Sequence, residues 1–220
     1  MTDGVLFLCH ANVCRSRLME HEFRAAERAT GSERWSAVSA GVAAVAGRPV
    51  CDDVRAIISP AGGDDAPLAV DRGAVLLDRD LLQSASLVIT ATRAERADVA
   101  LLIPAMRSRT FTLREAVVLA QLEPVIAPAG RGRDGDDLLT AFAESLDQRR
   151  GSVRSEDRRS RVRWFHRRDH SDDLDIPDAH HRRPRDHRRV LQTVQTETTA
   201  LHEHLRAFAG RSERRGARAR

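Results

Sequence analysis

Apolar and polar positions follow two periods along this chain. Residues 4–8 (GVLFL) form a short continuous apolar run, the texture of a strand buried on both faces. After a six-residue loop, RSRLMEHEFRAAERAT sets Leu18, Met19, Phe23 and Ala26 on one side of a helix. Strand, loop and helix open an α/β unit, and the alternation continues. WSAVSAG (35–41) predicts a second strand ending in a glycine turn. PVCDDVRAIIS (49–59) predicts a helix with Val50, Val54 and Ile57 or Ile58 inward, stopped by Pro60 and the Gly62–Gly63 pair.

A short helix capped by Asp78 is expected over 78–85, an interior strand over 86–92, and a helix through RAERADVALLI with Pro104 beyond its end. RTFTL (109–113) predicts a fourth strand and 114–124 a helix. Leu138, Leu139, Phe142 and Leu146 predict a helix over 134–150. Val190, Val194, Leu201, Leu205 and Phe208 line one stripe of a long helix from Arg185 to about Ala209. Four short strands alternating with helices imply an α/β fold, a four-stranded parallel sheet with helices on both faces. Ligands in such sheets bind beyond the carboxyl ends of the strands, where the loop after the first strand lies.

The expected organisation is a single domain over 1–209, interrupted by an arginine-rich, disordered insertion at about 151–171 and followed by a disordered basic tail at 210–220. The formal net charge of +4 hides this division. Residues 149–170 carry nine arginines against three acidic residues, a net of +6, and 210–220 a net of +4, leaving −6 for everything else. Lysine and tyrosine are absent, so the arginine count reflects overall residue usage as well as design. Salt-sensitive, nonspecific attraction is all that the basic insertion promises toward nucleic acid. Three cysteines make no disulfide scaffold and suit a reducing compartment. With no signal-like N-terminus and no run long enough to span a bilayer, the expectation is a cytoplasmic protein without a membrane partner.

Two of the three cysteines stand in FLCHANVCRSR (7–17). Cys9 and Arg15 have the spacing Cys-x5-Arg, followed by Ser16. A loop of His10, Ala11, Asn12, Val13 and Cys14, closing between strand and helix, can turn successive backbone N–H groups toward an anion, and the helix dipole adds to the field. Such settings lower a thiol pKa to about 3.5–7.5 and make the thiolate a nucleophile. An arginine can hold two phosphoryl oxygens bidentately. Against this stand two plainer readings, a pair of core thiols or a zinc site. The zinc reading lacks an obvious second close pair of cysteines or histidines.

VLFLCHANVCRSRLMEHEFR resembles the N-terminal signature of the low-molecular-weight protein tyrosine phosphatase family, a strand, Cys-x-x-Asn-x-Cys-Arg-Ser and a helix. The resemblance continues through VSAG (38–41), GRPV (47–50), SLVITATRAER (86–96), RTFTLREAV (109–117) and DLDIPD (173–178); CHAN and TFTLRE resemble actinobacterial members. It implies Cys9 as nucleophile, Arg15 as phosphate clamp, and His10, Ala11, Asn12, Val13, Cys14 and Ser16 as the substrate-binding loop. Ser16 would hydrogen-bond the thiolate, Asn12 and Ser39 would support the loop, and Cys14 could form a reversible disulfide with Cys9. The proton donor would be Asp178, with Asp175 as the alternative.

Departures from the pattern are Ala179 and His180 in DIPDAHH, where the family has proline and an aromatic residue, and Arg17, where proline usually follows. Arg17 is expected to be exposed or to attract acidic substrates, Trp35 to be core, and Cys51 to be a buried helix residue. His166, His170, His180, His181 and His187 are read as incidental and exposed. The resulting expectation is a cysteine-dependent phosphatase of protein phosphotyrosine working through phosphocysteine, with no metal and no cofactor. Its alternatives are an arsenate reductase coupled to a low-molecular-weight thiol, and a non-catalytic phosphate-binding module.

Overall fold

The apolar run at the start becomes β1 (Gly4–Cys9), and all six of its residues are buried. Successive side chains of a strand point to opposite faces, and β1 divides accordingly. Val5, Phe7 and Cys9 enter one core, while Leu6 and Leu8 enter the other. The computed structural model describes residues 4–31, 34–59, 72–122, 135–160 and 174–218. β2 (Ser36–Gly41), β3 (Ala85–Thr90) and β4 (Thr110–Thr112) complete a parallel sheet in the order β2-β1-β3-β4. The expected α/β architecture is therefore present.

Helices cover both faces. On the Phe7 side lie α1 (Arg15–Ala29), α2 (Asp52–Ile58), α5 (Leu113–Gln121), α6 (Gly135–Ser160) and α7 (Pro184–Arg218). On the Leu8 side lie α3 (Arg79–Ser84), α4 (Arg93–Leu102) and a 3-10 turn, Pro104–Arg109. The inward stripes read from the sequence are buried: Leu18, Met19 and Phe23 on α1, Leu138, Leu139, Phe142 and Leu146 on α6, Val194, Leu201 and Leu205 on α7. Among the described residues no helix is long and apolar enough to cross a membrane.

Two boundaries differ from expectation. α6 runs on to Ser160, ten residues into the segment read as a disordered insertion. Once a helix is nucleated by a packed first half, each further residue costs little, and residues 152–160 contain neither proline nor glycine. Residues 161–171 of that insertion lie outside the described residues. Likewise α7 continues to Arg218 through most of the expected tail. Its extension packs back on the body, where Glu213 pairs with Arg34 at 2.8 Å.

A buried polar post joins α7 to α1. Glu27 accepts hydrogen bonds from the backbone N–H groups of Arg34 (2.7 Å) and Trp35 (3.1 Å), and its other oxygen lies 2.6 Å from His202 Nε2. Trp35 is core, as expected, and lies edge-on to the same histidine.

Candidate active site

Cys9 ends β1 and pairs with Gly41 at the carboxyl end of β2. A Cβ on Gly41 would come within 2.7 Å of the His10 carbonyl oxygen and 2.8 Å of the Asn12 nitrogen. Only glycine lets the loop lie this close to the sheet, which explains the glycine ending VSAG.

The loop turns at Asn12, whose φ of 54° makes it the only non-glycine residue in the left-handed region among the described residues. Asparagine tolerates that region better than most residues, and here its side chain is also fully engaged. Nδ2 donates to Ser16 Oγ and Ser39 Oγ, both at 2.9 Å, and Oδ1 accepts from the Val75 N–H at 2.9 Å. The Asn12 N–H points to Cys9 Sγ at 3.3 Å. Ser16, at the start of α1, places its hydroxyl 3.0 Å from the same sulfur. The sulfur thus sits, buried, between one backbone N–H and one hydroxyl.

The support extends further than the motif suggests. Ser39 Oγ donates to Glu20 Oε2 at 2.6 Å, and Arg72 Nη2 reaches that same carboxylate at 2.6 Å. Arg17, expected at the surface, is buried. Its guanidinium donates to the Arg72 carbonyl oxygen at 2.9 Å and lies 3.9 Å from Glu20. A buried arginine needs a carboxylate and acceptors nearby, and Glu20 at i+3 on α1 is the sequence signal for it.

Arg15 and Asp178 meet across the mouth of the loop. Arg15 Nη2 lies 2.8 Å from Asp178 Oδ2, and Nη1 donates to the Ile176 carbonyl oxygen at 2.9 Å. The Glu95 carboxylate lies 3.9 Å away on the inner side. The 174–178 segment is fastened to the sheet ends: the Ile176 N–H donates to the Ala91 carbonyl at 2.8 Å, and Thr112 Oγ1 donates to the Leu174 carbonyl at 2.7 Å. Asp175 points elsewhere. Its carboxylate takes the backbone N–H of Arg93 at 2.9 Å and the Arg93 guanidinium at 3.0 Å. Asp178 keeps a side chain that is 53% exposed, open to a ligand above the loop. Partial burial works against its charge, but the His180 N–H at 2.9 Å and the Arg15 guanidinium prevail and hold its carboxyl below the usual range.

Cys14, the second loop cysteine, stands beside residues that the motif does not include. Its Sγ lies 3.2 Å from His180 Nδ1 and within 4.8 Å of the Cys51 sulfur. The neighbouring Cys51 and burial push the Cys14 thiol up, while the neighbouring Cys14 pulls Cys51 down to about 6. Cys51 is the half-buried N-cap of α2 rather than a buried residue inside it. His187, expected to be exposed, is buried in the first turns of α7 with Nε2 3.7 Å from Cys51 Sγ. Sequence spacing conceals this group, because its four members come from four segments.

A family model described as low molecular weight phosphotyrosine protein phosphatase matches residues 4–147, which include Cys9 and Arg15 but not Asp178. Among solved structures, a low molecular weight protein tyrosine phosphatase from T. tengcongensis is 27% identical, covering 70% of this chain and 99% of that one with a TM-score of 0.48. An arginine phosphatase, YwlE, from Geobacillus stearothermophilus is 17% identical over 76% of this chain and 99% of that one, with a TM-score of 0.45. Wzb from Vibrio vulnificus, in complex with benzylphosphonate, is 16% identical over 71% of this chain and 99% of that one, with a TM-score of 0.45. No curated protein matches.

Proposed function

Because this chain belongs to the low molecular weight phosphotyrosine protein phosphatase family, we propose that it hydrolyses phosphotyrosine monoesters on protein substrates through a phosphocysteine intermediate. The observation that carries the reading is the Arg15–Asp178 contact, which brings a carboxylate to the clamp of the anion loop from 163 residues away in sequence.

In this mechanism the Cys9 thiolate attacks phosphorus, and the bond from phosphorus to the phenolic oxygen breaks on the opposite side. Ser16 Oγ, 3.0 Å from Sγ, lowers the energy of the thiolate and later helps it leave. Arg15 and the backbone of residues 10–14 receive the charge on the phosphoryl oxygens. The phosphoryl group competes with Asp178 for the same guanidinium fork. As it takes over, the carboxyl faces an anion instead of a cation, the setting in which it holds a proton. Asp178 then gives that proton to the phenolate, whose free pKa near 10 makes unaided departure slow, and takes one from the water that hydrolyses phosphocysteine.

The test compares hydrolysis of a phosphotyrosine peptide, a phosphoserine peptide and a phosphoarginine peptide, alongside arsenate turnover with a low-molecular-weight thiol. The reading expects the phosphotyrosine peptide to be turned over fastest, with inhibition by vanadate. Preference for phosphoarginine or arsenate would replace it.

A further inference from the structure

Cys14, Cys51, His180 and His187 each present one ligand atom, and the four atoms all lie within 4.8 Å of one another. We propose that these residues form a Cys2His2 site for a zinc ion, which ties the loop bearing Asp178 to the anion loop and to the first turns of α2 and α7. The proposal does not depend on the phosphatase reading.

Zinc bonds to sulfur of about 2.3 Å and to nitrogen of about 2.0–2.1 Å put the ligand atoms of a tetrahedron roughly 3.3–3.8 Å apart. Two edges of the cluster have nearly that length already: Cys14 Sγ to His180 Nδ1 is 3.2 Å, and Cys51 Sγ to His187 Nε2 is 3.7 Å. Side chains need shift by no more than a fraction of their length to close the rest. The donor set is two soft sulfurs and two imidazoles, which selects zinc over magnesium or calcium. Four protein ligands leave no open position, the mark of a structural ion rather than a reacting one.

The surroundings suit a cation. Cys14 and His187 are buried, so the ion would be shielded from water on its inner side. The Asp53 carboxylate lies 3.6 Å from His187 Nε2 and adds negative charge at the rim. His187 Nδ1 is buried without a hydrogen-bond partner among the described residues, an orphaned polar atom beside the cluster. Binding takes both sulfurs as thiolates, so any thiol proton that Cys14 or Cys51 still holds passes to solvent. It also engages Cys14, which is then not available to form a disulfide with Cys9.

The full-length chain, stripped of metal under a phosphine reductant, would be titrated with Co2+ and then Zn2+. One ion per chain is expected, with the thiolate charge-transfer and strong visible bands of tetrahedral cobalt, bleached by zinc. Cys51→Ser and His180→Ala should each weaken binding more than about a hundredfold, beyond the roughly 10–100-fold that loss of an outer partner costs. Cys9→Ser should bind as tightly as the wild type. If the ligand variants do not fold, the wild-type spectrum and a rise of several degrees in its melting temperature with zinc decide the matter. Absence of a stoichiometric cobalt spectrum, a melting temperature indifferent to zinc, or binding lost in Cys9→Ser but kept in Cys51→Ser would overturn the proposal.

Discussion

The guanidinium of Arg15 is shared between the Asp178 carboxylate at 2.8 Å and the Ile176 carbonyl oxygen at 2.9 Å. One side chain thus orients both the loop that would receive phosphate and the loop that would supply the proton. If Asp178 is the acid, Asp178→Asn should lower kcat by about 10² to 10⁴ on phenyl phosphate. It should cost much less on p-nitrophenyl phosphate, whose leaving group needs little protonation. A plot of kcat against leaving-group pKa, flat for the wild type and steep for the variant, is the measurement.

Asp175→Asn should behave differently. Its carboxylate holds Arg93 at the start of α4, so its loss loosens the loop rather than removing a proton. A several-fold fall in activity is expected, equal for good and poor leaving groups. A leaving-group dependence in this variant, with none in Asp178→Asn, would exchange the two assignments.

Cys9→Ser should abolish turnover of every aryl phosphate while the protein keeps its melting temperature, because Ser16 and the Asn12 N–H can hydrogen-bond an alkoxyl as well as a thiol. Trapping with acid during turnover should recover phosphate bound to the wild-type protein and none bound to the variant.

Asn12 separates backbone from side chain. Asn12→Gly retains the left-handed turn at φ 54° but loses the bonds to Ser16, Ser39 and the Val75 N–H. Asn12→Ala loses both, adding roughly 1 kcal/mol or more of backbone strain. Activity should therefore fall in the order wild type, Gly, Ala, and phosphate affinity measured by calorimetry should fall with it.

The Glu27–His202 post should matter for stability alone. Glu27→Ala leaves two backbone N–H groups and a buried imidazole without their acceptor, a loss of about 3–5 kcal/mol. At roughly 2–4 °C per kcal/mol for a chain of this size, melting should fall by about 6–20 °C. Specific activity of the folded fraction should stay near the wild-type value.

What the sequence discloses follows from chain distance. Cys9, Asn12, Arg15 and Ser16 lie within one strand–loop–helix unit, and apolar periodicity alone orients such a unit. The sheet is legible for the same reason, since short buried runs separated by helical stripes have few alternatives. The Glu20–Ser39–Arg72 network is not legible, because polar residues brought together by tertiary packing carry no periodic signal. His180 and His187 look like polar loop and surface positions until folding sets them beside Cys14 and Cys51. Arg-rich composition misleads in the opposite direction at 151–160 and 210–218, where charge suggests disorder and helix propagation prevails.

Chain order also sets a timetable. Asp178 and the face of α7 that packs on α1 leave the ribosome some 170 residues after Cys9. At about 5–20 residues per second, the interval is on the order of ten to thirty seconds. Throughout it, the nascent chain holds the Cys9 sulfur without the Asp178 carboxylate, and Phe23 lacks His202, the α7 ring it meets edge-on. The chain from Asp178 through α7 therefore closes the surroundings of Cys9 and of α1 only after that interval.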